Sequence, residues 1–208
     1  MRILLTRPEG RNEELAGRLR ALGYDVVCEP LIAIEPLGDD PIELDGYDWV
    51  IATSVTGARE LQRRGRGRPR RTAAIGRATE DALGGADLVP DVSTQEGLLE
   101  AFPLPAGRVL FAGAEGARRL LVEKLGADFQ PLYRTRELVP DTLPQAELAI
   151  VASASAARAL AALELDLPIV SIGPETTKAA EAAGVRVVEE ATTHDLSGLI
   201  DAVMRATR

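Results

Sequence analysis

The chain has 208 residues, one cysteine, one histidine and a formal net charge of −8. Those counts exclude an internal disulfide, a cysteine-cluster zinc site and a multi-histidine metal site, and the charge argues against a general affinity for nucleic acid or anionic membrane. Its 46% apolar content is that of an ordinary globule, and no apolar run reaches the ~18 residues of a membrane helix.

Met1 leads directly into a strand-like stretch with charges at Arg2, Arg7 and Glu9. There is no basic start, apolar block and small-residue cleavage site of a secretory signal, so a cytoplasmic protein is expected. Ile3 to Leu5 is a short apolar strand, and Leu15, Leu19 and Leu22 at three- and four-residue spacing predict a helix over 8–22, ended by Gly23. Val26 to Cys28 returns as a strand, in which Cys28 reads as a buried thiol with no evident histidine partner. Pro30 to Leu37 is extended and proline-bounded. Trp49 to Ala52 and Ala73 to Ile75 are short apolar strands followed by helical stretches. Between them lies the arginine-rich run Arg63-Arg64-Gly65-Arg66-Gly67-Arg68-Pro69-Arg70-Arg71. Its Arg-Gly-Arg-Pro core resembles minor-groove DNA-binding segments, while its single occurrence on an acidic chain favours a solvated loop. From Val109 to Gln130 the order strand, helix, Gly126, strand recurs, and Pro131 to Pro140 is again extended and proline-bounded. Ala149 to Ala152 and Ile169 to Ile172 are further strands, and His194-Asp195 precedes the last helix as a surface or capping pair. Strands alternating with helices predict an α/β fold with parallel sheets covered on both faces.

The second half repeats the first. Arg2 to Gly10 matches Arg108 to Gly116, Trp49 to Ser54 matches Leu148 to Ser153, and Ile75 to Thr79 matches Ile172 to Thr176. Pro30-Leu31 and Pro131-Leu132 stand at equivalent places, as do Gly97-Leu98-Leu99 and Gly198-Leu199-Ile200. A period of half the chain is too long for a solenoid, whose repeats run about 20 to 50 residues. The expectation is two similar parallel-sheet α/β lobes from an internal duplication, with a cleft between them. The two proline-bounded extended stretches are then the interlobe connections.

In open parallel sheets ligands bind beyond the carboxyl ends of the strands, where helix N-termini offer N–H groups to anions. Those ends carry a recurring set here: Thr6-Arg7, Thr53-Ser54, Gly76 with Thr79, Gly113 to Gly116, Ser153 to Ser155, and Gly173 with Thr176. Each is expected to follow a strand and open a helix. Ser, Thr and Gly at such places also serve as ordinary N-caps. Gly113 and Gly116 do not make a dinucleotide fingerprint, and no phosphate-binding Walker loop, nucleophile elbow or spaced acid pair occurs. Only Lys124 and Lys178 are lysines among 24 basic residues. Arg7, Arg11, Arg59, Arg77, Arg118, Arg134, Arg136 and Arg158 stand near the strand ends, and their planar forks suit a polyanionic small molecule.

Taken in order, Leu5-Thr6-Arg7-Pro8, Asp48 to Ser54, Ile75 to Thr79, Leu132-Tyr133-Arg134-Thr135 and Ile172 to Thr176 resemble the uroporphyrinogen-III synthase family over essentially the whole chain. The chain departs from the family at Ala52 and Ala152, where an aromatic residue commonly precedes the Thr/Ser, and in its short loops. The resemblance implies a discontinuous α/β domain from residues 1–32 and 139–208 and a second from residues 38–131. Residues 33–37 and 132–138 would be the interlobe linkers, pairing as a two-stranded ladder.

The resemblance also implies the reaction. A linear hydroxymethylbilane loses its terminal hydroxyl as water, and the substituted carbon of the last pyrrole attacks to give a spiro intermediate. Fragmentation and closure then invert that ring, giving uroporphyrinogen III for haem, sirohaem and cobalamin synthesis. No cofactor or metal is called for, and the partner is the bilane alone, with neither nucleic acid nor membrane, on a monomer. Tyr133 is the implied catalytic side chain, acting on the leaving hydroxyl; an aromatic that merely packs beneath the ladder is the competing reading. The implied substrate-binding set is Thr6, Arg7, Thr53, Ser54, Gly76, Thr79, Gly113, Ser153, Gly173 and Thr176. A non-catalytic two-lobed protein that binds a polyanionic small molecule is the alternative function.

Overall fold

The computed structural model describes residues 1–208. In chain order the elements are β1 (Arg2–Leu5), α1 (Glu13–Ala21), β2 (Asp25–Cys28), β3 (Ile32–Pro36), β4 (Ile42–Glu43), β5 (Trp49–Ala52), α2 (Val55–Arg64), β6 (Gly65–Arg66), β7 (Arg71–Ala74) and α3 (Arg77–Leu83). They continue with α4 (Gln95–Ala101), β8 (Val109–Ala114), α5 (Leu120–Leu125), β9 (Asp128–Glu137), β10 (Leu148–Val151), α6 (Ala154–Ala161), β11 (Ile169–Ser171), α7 (Pro174–Ala182), β12 (Val187–Glu190) and α8 (Leu196–Ala206). No helix is long and apolar enough to cross a membrane. The chain divides into two compact units, Met1–Ile34 with Thr135–Arg208, and Glu35–Arg134.

In the first unit the sheet runs β12-β11-β10-β1-β2, with all four pairings parallel. Its central strands β1, β10 and β11 are mostly apolar runs because both faces of the sheet are covered there, while the edge strands β2 and β12 carry charged residues. One face packs Ile3, Leu5, Ile150 and Val170 against Leu15 and Leu19 of α1 and Leu199 and Val203 of α8. The other packs Leu4, Ala149 and Val151 against Ala156, Ala157 and Leu160 of α6 and Ala180 of α7. Each fully buried leucine here contributes about 1.5–3 kcal/mol of transfer free energy. Alanines on α6 keep that helix close to the sheet. The helix expected over 8–22 begins only at Glu13. Gly10 sits at φ +71, a left-handed turn that breaks the spiral just inside the expected start. Cys28 is also corrected: it ends the edge strand β2 and is exposed rather than buried.

The second sheet runs β3-β9-β8-β5-β7, and β9-β8-β5-β7 pair in parallel. Trp49, Ile51, Val109 and Phe111 from this sheet pack with Leu98 and Phe102 of α4 and Leu121 of α5. The Trp49 and Phe102 rings lie 4.8 Å apart and tilted, a favoured aromatic geometry. The expected strand to Gln130 and the extended stretch from Pro131 are one ten-residue strand, β9. Pro131 is tolerated inside it because it faces Gly113 next to a register shift, where a missing N–H costs little.

The arginine-rich run is largely exposed, as expected, but it is not all loop and one of its arginines is buried. Arg63 and Arg64 finish α2, and Gly65–Arg66 form β6, paired in parallel with β4. Arg64 is buried, its Nε and Nη1 donating to the Asp40 and Leu37 carbonyls at 3.0 and 3.1 Å. Arg63 pairs with Glu60 and Asp39, Arg70 with Asp48 at 3.0 Å, and the Asp45 carboxylate accepts the Arg68 N–H at 2.8 Å. Acidic residues brought in from before β5 neutralise the run, a pairing that sequence order hides.

Candidate active site

In the second unit the carboxyl end of β5 delivers Ala52, Thr53 and Ser54 to the start of α2. Ser54 takes extended backbone angles and its Oγ accepts the Gly57 N–H at 2.9 Å, closing the N-terminus of the helix. Two strands away Tyr133 stands in β9, buried. Its phenolic oxygen lies 2.9 Å from the same Ser54 Oγ. The register along β8 and β9 runs in step to Gly113 with Pro131, then slips so that Ala114 faces Tyr133. This bulge leaves Leu132 unmatched and re-aims Tyr133 relative to unbroken alternation, a device that recurs beside functional sites. The Glu115 N–H, donating to the Tyr133 carbonyl at 2.8 Å, holds the backbone there. Tyr133 is therefore a sheet residue with its ring enclosed, not a residue at an open edge, because the bulge turns it inward.

The other members in this unit fall around the same strand ends. Gly76 is the N-cap of α3, and a Cβ there would stand 2.6 Å from the Ser93 hydroxyl, so only glycine fits without movement. Thr79 is buried in the first turn of α3. Gly113 is the point where β8 passes α2; a Cβ on Gly57 would meet Ser54 Oγ at 3.1 Å and the Ala112 carbonyl at 3.4 Å. Gly113 to Gly116 lead into a turn and not directly into a helix, since α5 starts at Leu120.

In the first unit Ser153 caps α6 by accepting the Ala156 N–H at 3.2 Å. Gly173 caps α7 with Pro174 at the first helical position, where a missing N–H is harmless, and Thr176 is buried in that turn. Thr6 and Arg7 do not open a helix, because α1 starts at Glu13. The Thr6 hydroxyl is wholly buried and donates to the Ile150 carbonyl at 2.8 Å. Burial, together with the charge of Arg11, lowers the Arg7 guanidinium from its ordinary value, with Glu14 and Glu13 opposing. Cys28 is exposed at the surface, yet partial desolvation by its neighbours still raises the thiol, with the charge of Arg20 opposing, which favours the unreactive protonated form. Asp195 caps α8 by accepting the Gly198 N–H at 2.8 Å, and that bond lowers its carboxyl below the ordinary value.

Several of the arginines near the strand ends are engaged by the protein's own acids: Arg77 with Glu80, Arg118 with Glu96, Arg134 with Glu115 and Arg158 with Glu137. The Arg118, Arg134 and Arg158 pairs are largely exposed on both sides, so each is weak and can be exchanged for an external carboxylate at small cost, whereas the Glu80 side of the Arg77 pair is mostly buried. One feature was missed in the sequence: Ser171, at the end of β11, bonds Thr177 Oγ1 at 2.6 Å, and Thr177 in turn donates to Glu190. Ser171 ending an apolar strand was the available signal, but its partners come from α7 and β12.

Comparison with known proteins gives the family. The family described as uroporphyrinogen-III synthase HemD matches residues 13–201. The chain is similar to a uroporphyrinogen-III synthase of Synechococcus elongatus, 28% identical over 251 aligned positions that cover 99% of this chain and 95% of the relative. It is also similar to a putative uroporphyrinogen-III synthase of Methanocaldococcus jannaschii, 26% identical over 159 positions, covering 70% of this chain and 65% of that one. A crystal structure of a mutant uroporphyrinogen III synthase from Thermus thermophilus shares the fold with a TM-score of 0.64 at 17% identity, covering 100% of this chain and 98% of the other. With a family match over nearly its full length, two such relatives and the same fold, the chain belongs to the uroporphyrinogen-III synthase family.

Proposed function

We propose that this protein converts hydroxymethylbilane into uroporphyrinogen III. The match to the family over residues 13–201 carries the reading. The reaction is a net dehydration: the C–O bond of the terminal hydroxymethyl group breaks, water leaves, and the substituted carbon of the last pyrrole forms the new C–C bond. The spiro intermediate then fragments and recloses with that ring inverted. No electrons are gained or lost, so no oxidant or reductant enters the balance. The bilane cyclises unaided to the uninverted isomer, and the enzyme's task is chiefly to hold one geometry, which can be worth about 7–11 kcal/mol.

In this reading Tyr133 donates the proton that lets the hydroxyl leave as water. Ser54 Oγ lies 2.9 Å from its hydroxyl, a polar contact that supports this reading. Ser54, Gly76 and Gly113 in one unit and Ser153 and Gly173 in the other bring backbone N–H groups to the strand ends of their own sheets, with Thr53, Thr79, Thr176 and Arg7 completing the proposed binding set; Thr6, whose buried hydroxyl is committed to the Ile150 carbonyl, is left out of it. The exchangeable arginine pairs supply charge to the substrate carboxylates. Internal duplication accounts for the likeness of the two strand orders, β11-β10-β1-β2 and β7-β5-β8-β9, in which repeated sequence segments occupy matching places. The same proposal makes residues 33–37 and 132–138 the linkers between domains of residues 1–32 with 139–208 and residues 38–131. The Leu37 N–H to Leu132 carbonyl and Leu138 N–H to Leu31 carbonyl bonds, both 2.8 Å, support it. The enzyme is proposed to act as a cytoplasmic monomer.

The decisive experiment is isomer analysis of the product formed from hydroxymethylbilane by the purified chain. The type III isomer, formed faster than the unaided reaction and without added cofactor, is the expected result. Type I product at the uncatalysed rate would leave only a binding role.

A further inference from the structure

We infer that Ser54 is the positioning residue for the Tyr133 hydroxyl, coupling it to the N-terminus of α2; this rests on the reading of Tyr133 as the proton donor. Three observations converge on one oxygen. Ser54 Oγ accepts the Gly57 N–H at 2.9 Å, so one lone pair is committed and the hydroxyl is anchored to the helix. The same Oγ lies 2.9 Å from Tyr133 Oη. Ser54 sits at the first turn of a ten-residue helix, where unpaired N–H groups carry partial positive charge.

The direction of the shared hydrogen bond decides what Ser54 does. Ser54 Oγ keeps a second lone pair after accepting from Gly57, so either hydroxyl can donate across the 2.9 Å pair; in the inferred arrangement Ser54 donates to Tyr133 Oη. That bond turns the phenolic proton away from Ser54. It also strengthens as Tyr133 gives up its proton, because a phenolate accepts more strongly than a phenol. Ser54 therefore favours the state of Tyr133 that exists after proton transfer, which is a rate effect and not a substrate-binding effect. The helix N-terminus supports the same charge through Ser54.

The surroundings are built to keep this geometry. The β9 bulge aims Tyr133, and the Glu115 N–H holds its carbonyl. Residue 57 is glycine where a Cβ would press on Ser54 Oγ at 3.1 Å and on the Ala112 carbonyl at 3.4 Å. Ser153 is an informative contrast: it caps α6 by the same bond to the third residue on, yet no tyrosine is bonded to it. The cap alone does not require the tyrosine.

The test is a double-mutant cycle on the full chain with hydroxymethylbilane, using Ser54→Ala, Ser54→Thr, Tyr133→Phe and Ser54→Ala with Tyr133→Phe. Ser54→Ala is expected to lower kcat about 5- to 20-fold with KM changed less than about 3-fold. Ser54→Thr, which keeps both the cap and the hydroxyl, should restore kcat. In the Tyr133→Phe background Ser54→Ala should add almost nothing, because the group it positions has gone. Thermal melting of each variant separates loss of the cap from loss of rate. Full kcat in Ser54→Ala, or an equal drop in both backgrounds, overturns the positioning role while leaving Tyr133 as donor. Full kcat in Tyr133→Phe removes the donor reading itself, and the role of Ser54 with it.

Discussion

The Thr6 hydroxyl donates to the Ile150 carbonyl at 2.8 Å with none of Thr6 exposed. Thr6 thereby ties the end of β1 to β10 inside the first unit, where Leu5 already faces Ile150 in the ladder. Thr6→Val keeps the branched shape and strands the carbonyl, so a stability loss of about 1–3 kcal/mol is expected. Urea unfolding would measure it. The kcat/KM of the folded enzyme should be unchanged; a drop beyond the loss of folded protein would return Thr6 to the substrate.

Tyr133→Phe retains the ring and removes only the hydroxyl bonded to Ser54. A fall in kcat of roughly 10- to 100-fold is expected, the low end for a positioned proton donor. The type III isomer should still dominate, since inversion depends on how the bilane is folded. Release of mostly type I would show that the residue governs substrate conformation.

Within the arginine-rich run, one residue should behave unlike its neighbours. Arg64 is buried and donates to the Asp40 and Leu37 carbonyls, so Arg64→Ala is expected to cost about 2–4 kcal/mol through lost packing and unsatisfied carbonyls. Replacing Arg66, Arg68 and Arg70 together with serine should change stability by less than about 1 kcal/mol and activity by no more than a few-fold, as these side chains are exposed. Calorimetric melting of the two variants would show whether the order is reversed.

Gly97 and Gly198 open the last helix of each sequence repeat, and neither can carry a side chain. A Cβ at Gly97 would lie 2.3 Å from the Val92 carbonyl oxygen, and one at Gly198 would lie 2.1 Å from the Thr193 carbonyl oxygen. Backbone cannot give way cheaply, so Gly198→Ala should destabilise by about 3 kcal/mol or more despite the higher helix propensity of alanine. Chemical denaturation giving a neutral or stabilised variant would refute the close approach.

Asp195 supplies a pH effect of known sign. Its carboxyl is lowered by the Gly198 N–H bond, so its contribution is present above the unfolded carboxylate value of about 3.9 and is lost as pH falls through the still lower folded value. Asp195→Asn keeps a capping oxygen without the charge. The stability gap between wild type and this variant should shrink between about pH 5 and pH 2. A gap independent of pH in unfolding experiments over that range would assign the cap no charge component.

The sequence by itself determined the parallel α/β class and the family. Apolar runs such as Trp49–Ala52 and Leu148–Val151 can be buried on both faces only in a covered parallel sheet. Ser54 and Ser153 were legible as strand-end hydroxyls because capping is a local property of three or four residues. Tertiary structure decided whatever depends on partners distant in the chain. Thr6 spends its hydroxyl on a carbonyl 144 positions away, and Arg64 is buried because carbonyls 24 and 27 residues earlier come to meet it. Cys28 is exposed because strand order puts β2 at an edge. Tyr133 meets Ser54 across 79 residues at the place where β9 slips register against β8. Periodicity reports which face of an element is apolar, whereas these contacts depend on which strands become neighbours and where their register breaks.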